Sequence, residues 1–250
     1  IYDYNPDSLR RLKGKKFDLV INLEKLPEVC SFAAAITTKR YLGFRIKNPQ
    51  SRLVRFFSEA QSAKIARYLS SKQHNRDCWQ KVMAESLGKR WSRQGYILGY
   101  HPRSKIKYDI GFNWTVGSKW PNKAWPRKHW GELAEMVHGR YSLSWQKGLN
   151  SLEEYIDWIN SCRLVVTADT LGLHICLALG KRVIALFGPT SHREIYFYNC
   201  GQVILSPAPY KCLPCFKSAC RQKRGCMDFI EPKKVLQKID HELKTLTLTR

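Results

Sequence analysis

The chain has 250 residues, 43 Lys and Arg against 20 Asp and Glu, a formal net charge of +23, and 44% hydrophobic and 12% aromatic residues. That apolar content is too high for a disordered chain, and no apolar run approaches the roughly 20 residues that span a bilayer. No charged-then-apolar export signal opens the sequence, so the expectation is a soluble, folded, cytosolic protein whose natural partners are polyanions.

Residues 17–22 (FDLVIN) predict a buried strand. From Phe44 to Tyr96 the pattern reads as mostly helical, with basic residues on the polar positions. Residues 31–107 hold a net +14, against +1 for residues 1–30, +2 for 108–205 and +6 for 206–250. A polar, Pro-containing stretch at 100–107 marks the expected junction between an N-terminal domain, 1–105, and a C-terminal domain, 106–250. Beyond it, strands are predicted at 109–113, 141–145, 163–167 and 182–187, and helices opening near Pro126 and running over 152–159 and 171–179. Strands alternating with helices of this length indicate βα units and a parallel sheet, so the fold class is α/β.

Two loops leaving strand ends carry the candidate chemistry. In RLVVTADTLGLHICLALGKRVIALFGPT (163–190), Asp169, Thr170, Gly172 and His174 gather where a strand gives way to a helix. Helix N-termini at the carboxyl ends of parallel strands receive phosphates through free N–H groups and partial positive charge. Asp169 also reads as a helix cap and His174 as a packed helical residue. The loop NWTVGSKWPNKAWP (113–126) offers the Thr115 hydroxyl and the Lys123 ammonium, an inventory that suits a diphosphate. Its Trp residues read as anchors of the loop on the core.

Cys212, Cys215, Cys220 and Cys226 place four thiols within 15 residues. Three readings stay open: a structural metal site, reduced thiols in a tight loop, and disulfides. The sequence has no GxxxxGK[ST], HExxH, GxSxG or GxGxxG motif.

The strings FDLVINLE, KxWPxxxW, VVTADTLGLHICLALGKRVIALFGPT and CxxCxxxxCxxxxxCM, in this order along the chain, resemble glycosyltransferase family 9, the ADP-heptose:lipopolysaccharide heptosyltransferases. The resemblance runs from about Phe17 to Val235. It implies the GT-B architecture, two Rossmann-like domains facing across a cleft, here with the N-terminal domain lacking its first βα unit and the last helix able to pack back on that domain. It puts Lys123 on the donor diphosphate, Asp169 on the donor sugar, and Thr115, Thr170, Gly172 and His174 around sugar and phosphates. The family's proposed base, an Asp in a Gly-Asp loop after the first strand, has no match here, so no catalytic base is assigned.

The function this implies is an inverting transferase that needs no cofactor. It would move a sugar, heptose first among candidates, from a nucleotide diphosphate such as ADP-heptose to a lipid-linked, phosphorylated lipopolysaccharide-core acceptor. The partners would be that donor and acceptor and an anionic membrane surface, with no nucleic acid. The location would be cytoplasmic and peripheral, on the inner face of the bacterial inner membrane. A catalytically inactive homologue that binds nucleotide sugars or anionic glycolipids is the alternative, and a basic nucleic-acid-binding protein a more distant one.

Overall fold

The alternating βα pattern of the second half folds, in the computed structural model, as a five-stranded, all-parallel sheet. The structure describes residues 5–12, 14–48, 53–57, 62–148 and 150–248. Compact units divide at Ser92/Arg93, and each is taken separately.

The N-terminal unit runs α1 (Pro6–Leu12), β1 (Lys16–Asn22), α2 (Pro27–Ala34), β2 (Thr37–Asn48), β3 (Leu53–Phe57), α3 (Ser62–Ser70) and α4 (Trp79–Ser86). Strands β1 and β2 pair parallel across the α2 crossover, and β3 returns antiparallel to β2. The expected helical reading from Phe44 therefore fails over its first part. Leu42, Phe44 and Ile46 alternate inward while Arg45 points out, and a period of two makes a strand, not a helix. Among the described residues its core comprises Cys30, Phe44, Ile65, Tyr68, Val82 and Met83. On β1, Leu19 and Ile21 remain substantially exposed.

The C-terminal unit contains β4 (Tyr108–Asn113), α5 (Arg127–Val137), β5 (Leu143–Trp145), α6 (Leu152–Asn160), β6 (Cys162–Ala168), α7 (Leu171–Ala178), β7 (Arg182–Phe187), β8 (Gly201–Leu205) and α8 (Pro232–Leu248). Sheet order is β5-β4-β6-β7-β8. Strand side chains alternate between two cores. Leu164, Val166, Ile184 and Leu186 pack with Trp130, Leu133 and Val137 of α5 and Val235, Ile239 and Leu243 of α8. On the opposite face, Val165, Val183 and Ala185 meet Ile156 and Ile159 of α6 and Leu173 and Cys176 of α7. Helices on both faces explain why these strands read as continuous apolar runs. Val235, Ile239 and Leu243 of α8 recur at helical spacing and pack on this unit's sheet.

The division falls upstream of the expected 105/106 junction for a reason the side chains make plain. Tyr96, Leu98 and Tyr100 pack on the α6/α7 core. The Tyr100 hydroxyl donates to Asp157 (2.8 Å), as do the Arg103 and Ser104 N–H groups (2.7 and 3.2 Å). These bonds hold the Asp157 carboxyl below its usual range against the opposing effect of its desolvation. Counted by the observed units, the N-terminal 92 residues carry +11 and the remaining 158 carry +12.

A candidate functional site at the sheet switch point

Strand order reverses between β4 and β6: from β4 the chain goes outward to β5, then crosses back to β6 on β4's other side. In open α/β sheets the crevice outside the carboxyl ends at such a point is where ligands bind. A cavity of about 370 Å3 lies there, lined among others by Asn113, Thr115, Lys123, Gln146, Asp169 and Thr170.

Four of the six donor residues named from sequence, Thr115, Lys123, Asp169 and Thr170, meet at this cavity. Lys123 reaches across from the β4–α5 loop. Its Nζ donates to the Asp169 carboxylate (2.7 Å) and to the Asp169 backbone carbonyl (3.1 Å), with Trp120 beneath it at 5.2 Å. Both side chains of the pair are mostly buried, at 17% and 14% exposure, so the interaction is screened less than a surface pair. Asp169 is not the helix cap. Thr170 holds that position and makes no side-chain cap bond, so the first N–H groups of α7 lack a side-chain acceptor and suit an anion.

Thr170 is engaged from the other side. Asn113 donates through Nδ2 to Thr167 Oγ1 (2.7 Å) and Thr170 Oγ1 (3.0 Å), and the Tyr155 hydroxyl donates to Asn113 Oδ1 (2.9 Å). Burial holds the Tyr155 phenol well above its ordinary range, so it stays a donor. Gly172 lies behind the cavity, not on it. A Cβ there would sit 2.4 Å from both Asn113 Nδ2 and the Tyr155 hydroxyl, so the glycine admits the network that fixes the loop.

His174 also stands behind the lining residues, one turn into α7, with Nδ1 2.9 Å from the Tyr96 hydroxyl. Burial pushes its imidazole below the usual His range. Asp169 opposes that shift and Lys123 reinforces it. Sequence reasoning missed Asn113, Gln146 and Tyr155. Gln146 accepts from the Thr115 hydroxyl (2.7 Å) and, through its carbonyl, from the Trp114 indole (2.9 Å). It is shared with a neighbouring cavity of about 470 Å3 walled by Trp114, Trp130 and Trp145, with Arg127 and Lys147 beside them. The available signal was a polar residue at the buried end of an apolar strand, as at Asn113 and Thr167.

The four clustered cysteines span the segment 212–226, the last of them opening a short 3-10 helix. Cys212 and Cys220 are exposed, Cys215 is half-buried, and all are free thiols. Cys226 turns into the core, its Sγ 2.6 Å from where a Cβ on Gly188 would stand. Burial, and the nearby Cys215 and Cys220, push that thiol up to about 11. Among the described residues, no three His, Cys, Asp or Glu side chains are arranged to hold a metal ion.

Sheet order, switch point and cation-lined cavity define a doubly wound α/β unit with its crevice where such folds take ligands. Residues 148–225 match the model of glycosyltransferase family 9 (heptosyltransferase). Lipooligosaccharide heptosyltransferase 2 of Haemophilus influenzae is 31% identical over 137 residues, 43% of this chain and 37% of that protein. Lipopolysaccharide heptosyltransferase 1 of Pseudomonas aeruginosa is 27% identical over 243 residues, 84% of this chain and 65% of that protein. The chain therefore spans less than two thirds of the length of these relatives. Among solved structures, E. coli heptosyltransferase WaaC with ADP has a TM-score of 0.55 at 17% identity, covering 94% of this chain and 75% of that one. A family 9 glycosyl transferase from Veillonella parvula gives 0.57 at 19%, covering 96% and 77%. These likenesses give the fold, an α/β chain of the GT-B type.

Proposed function

We propose that the C-terminal unit binds the diphosphate of a nucleotide-sugar donor beside the Lys123–Asp169 pair, and that the protein is a glycosyltransferase of lipopolysaccharide core synthesis. Heptose is the sugar in this reading, transferred with inversion. The observation that carries it is the pair itself: a mostly buried cation and carboxylate at a sheet switch point, 2.7 Å apart beside the uncapped start of α7. The comparisons support the ligand class, since WaaC was solved with ADP and with ADP-2-deoxy-2-fluoro heptose, and the relatives are named as heptosyltransferases.

Arrival of a diphosphate gives Lys123 a more highly charged partner than Asp169. The ammonium turns to the phosphate oxygens, and the freed carboxylate accepts hydrogen bonds from the sugar hydroxyls. The acceptor hydroxyl attacks the anomeric carbon as the bond from that carbon to the diphosphate oxygen breaks, and its proton passes to a general base. Charge growing on the leaving diphosphate is met by Lys123, the Thr115 hydroxyl and the first N–H groups of α7. No metal is required in this reading. The indole faces and cations next to Gln146 are suited to the nucleoside end.

Among the described residues no helix is long and apolar enough to cross a membrane. A phosphorylated glycolipid acceptor and the anionic inner leaflet would supply the counter-charge for the basic N-terminal unit, putting the enzyme at the inner face of the bacterial inner membrane. Calorimetric titration with ADP-heptose tests the site: Lys123→Ala is expected to weaken binding about 30-fold or more, in line with loss of a charge-assisted contact in a partly buried setting. Unchanged affinity rejects the assignment. Radiolabelled transfer to a lipid-linked acceptor tests the activity.

A further inference from the structure

The irregular segment between β8 and Cys226 carries three thiols for which the donor site has no use. Cys212 and Cys220 are exposed and Cys215 is half-buried. Cys226, beyond them, packs against Gly188, and burial keeps its thiol protonated, so it is no nucleophile at neutral pH. Residues 211–224 also hold five Lys and Arg, all exposed, and no Asp or Glu. Cations so placed draw an anionic reagent toward the accessible thiols. Of these thiols, Cys212 and Cys215 are separated by only two residues, and the shorter loop costs less entropy to close.

The same segment braces the loop that delivers Lys123. The Phe216 N–H donates to the Pro189 carbonyl (2.8 Å), just past β7, and the Lys217 carbonyl accepts from Asn122 Nδ2. Asn122 directly precedes Lys123. Phe216 holds a φ of +51°, in the left-handed region that a bulky side chain rarely adopts. Bonds to two loops at the carboxyl end of the sheet therefore hold the backbone beside Cys215 in a strained state, the kind of conformation that gathers in switch segments.

We infer that Cys212 and Cys215 form a reversible dithiol–disulfide site, oxidised by a small anionic disulfide, and that closing the bond loosens the donor loop through Lys217 and Asn122. The Cys212 thiolate attacks one sulfur of the reagent, giving a mixed disulfide and releasing one reagent thiolate. The Cys215 thiolate then attacks the Cys212 sulfur and expels the second reagent thiolate. The two cysteines give up two protons and two electrons, and the reagent leaves as two thiols. The new ring fixes the backbone up to Cys215 and competes with the strained φ at Phe216. As that residue relaxes, the bonds to Pro189 and Asn122 are lost, and Lys123 is no longer held at the cavity. The effect on Lys123 rests on the donor site proposed above; the dithiol itself does not.

Oxidised glutathione, a disulfide of net negative charge, is the probe. After incubation with it, two fewer thiols should titrate in the denatured protein. The tryptic peptide 212–217, which holds both cysteines, should be lighter by two hydrogen masses and linked to nothing else. Oxidation should slow as salt is added; a rate indifferent to salt overturns the anionic preference. The affinity of the oxidised protein for ADP-heptose is expected to fall about fivefold or more and to return on reduction with dithiothreitol. Cys212→Ser, at an exposed position, should keep the reduced protein's affinity and lose the response. A bond that maps to Cys220 or Cys226, a glutathione adduct that never closes, ring closure with unchanged affinity, or an equal loss in Cys212→Ser overturns the proposal. If the reduced wild-type protein binds no ADP-heptose, the donor reading fails, while the mass of peptide 212–217 still decides the dithiol.

Discussion

The two units of this chain are built from similar pieces and differ in what covers their strands. In the C-terminal unit every central strand is buried on both faces, by α5 and α8 on one side and α6 and α7 on the other. In the N-terminal unit, where the core among the described residues comprises Cys30, Phe44, Ile65, Tyr68, Val82 and Met83, Leu19 and Ile21 of β1 are 41% and 49% exposed. The lesson concerns where rigidity is needed. A site that must hold a cation, a carboxylate and helix N–H groups within hydrogen-bonding distance sits on the doubly covered sheet.

Core truncation should show the contrast most strongly. Leu164, fully buried under α5 and α8, is expected to cost about 2–5 kcal/mol on Leu164→Ala, through lost burial and the cavity left behind. Ile21→Ala, on the half-exposed β1, should cost about 1 kcal/mol or less. Denaturant unfolding measures both, and equal losses would break the comparison.

A smaller effect is expected at Gly172. The added methyl of Gly172→Ala meets Asn113 and Tyr155 at 2.4 Å, and such overpacking typically costs about 1–3 kcal/mol. Because the displaced groups hold Thr170, ADP-heptose affinity should fall along with stability. Full affinity with reduced stability would uncouple the network from the site.

Acid sensitivity sharpens the comparison at a finer scale. Asp109 accepts from Ser142 and from Arg163, and these bonds hold its carboxyl below the usual range despite the desolvation that opposes them. A depressed folded-state value means stabilisation that is present above the unfolded carboxyl's value and is lost as pH falls through the folded one. The C-terminal unit should therefore lose stability below about pH 4, and Asp109→Asn should flatten that limb in thermal melts taken from pH 6 to pH 2. The Lys39–Asp18 pair on β1 and β2, about four-fifths exposed on both sides, is the control. Asp18→Asn should change stability by less than about 0.5 kcal/mol.

The C-terminal sheet was legible because its strands are β-branched apolar runs separated by amphipathic helices, a pattern that double coverage produces. The loops that follow β4 and β6 were legible as strand-end loops too, since the sequence there passes from an apolar run to polar residues before the next helix. The β2–β3 hairpin was not, because Arg45 and Arg55 pair across its exposed face, and alternating cations imitate the polar side of a helix. Nor was the unit boundary: Tyr96, Leu98 and Tyr100 bind through side chains along an irregular backbone that leaves no period. Tyr155 lies in the helix predicted over 152–159, and its hydroxyl reaches Asn113 only because β4 and α6 are neighbours in three dimensions.

One pairing in the sheet has a consequence for how such a protein can diversify. Asn113 stands opposite Thr167 in the register of β4 against β6, and the two side chains are bonded to each other. That register acts as a ruler: it sets the spacing between the loop that delivers Lys123 and the loop that delivers Asp169. A one-residue slip would turn Asn113 to the opposite face and erase both. Descendants of this sequence are therefore free to rewrite the tips, residues 114–122 above all, while the gauge beneath them stays fixed.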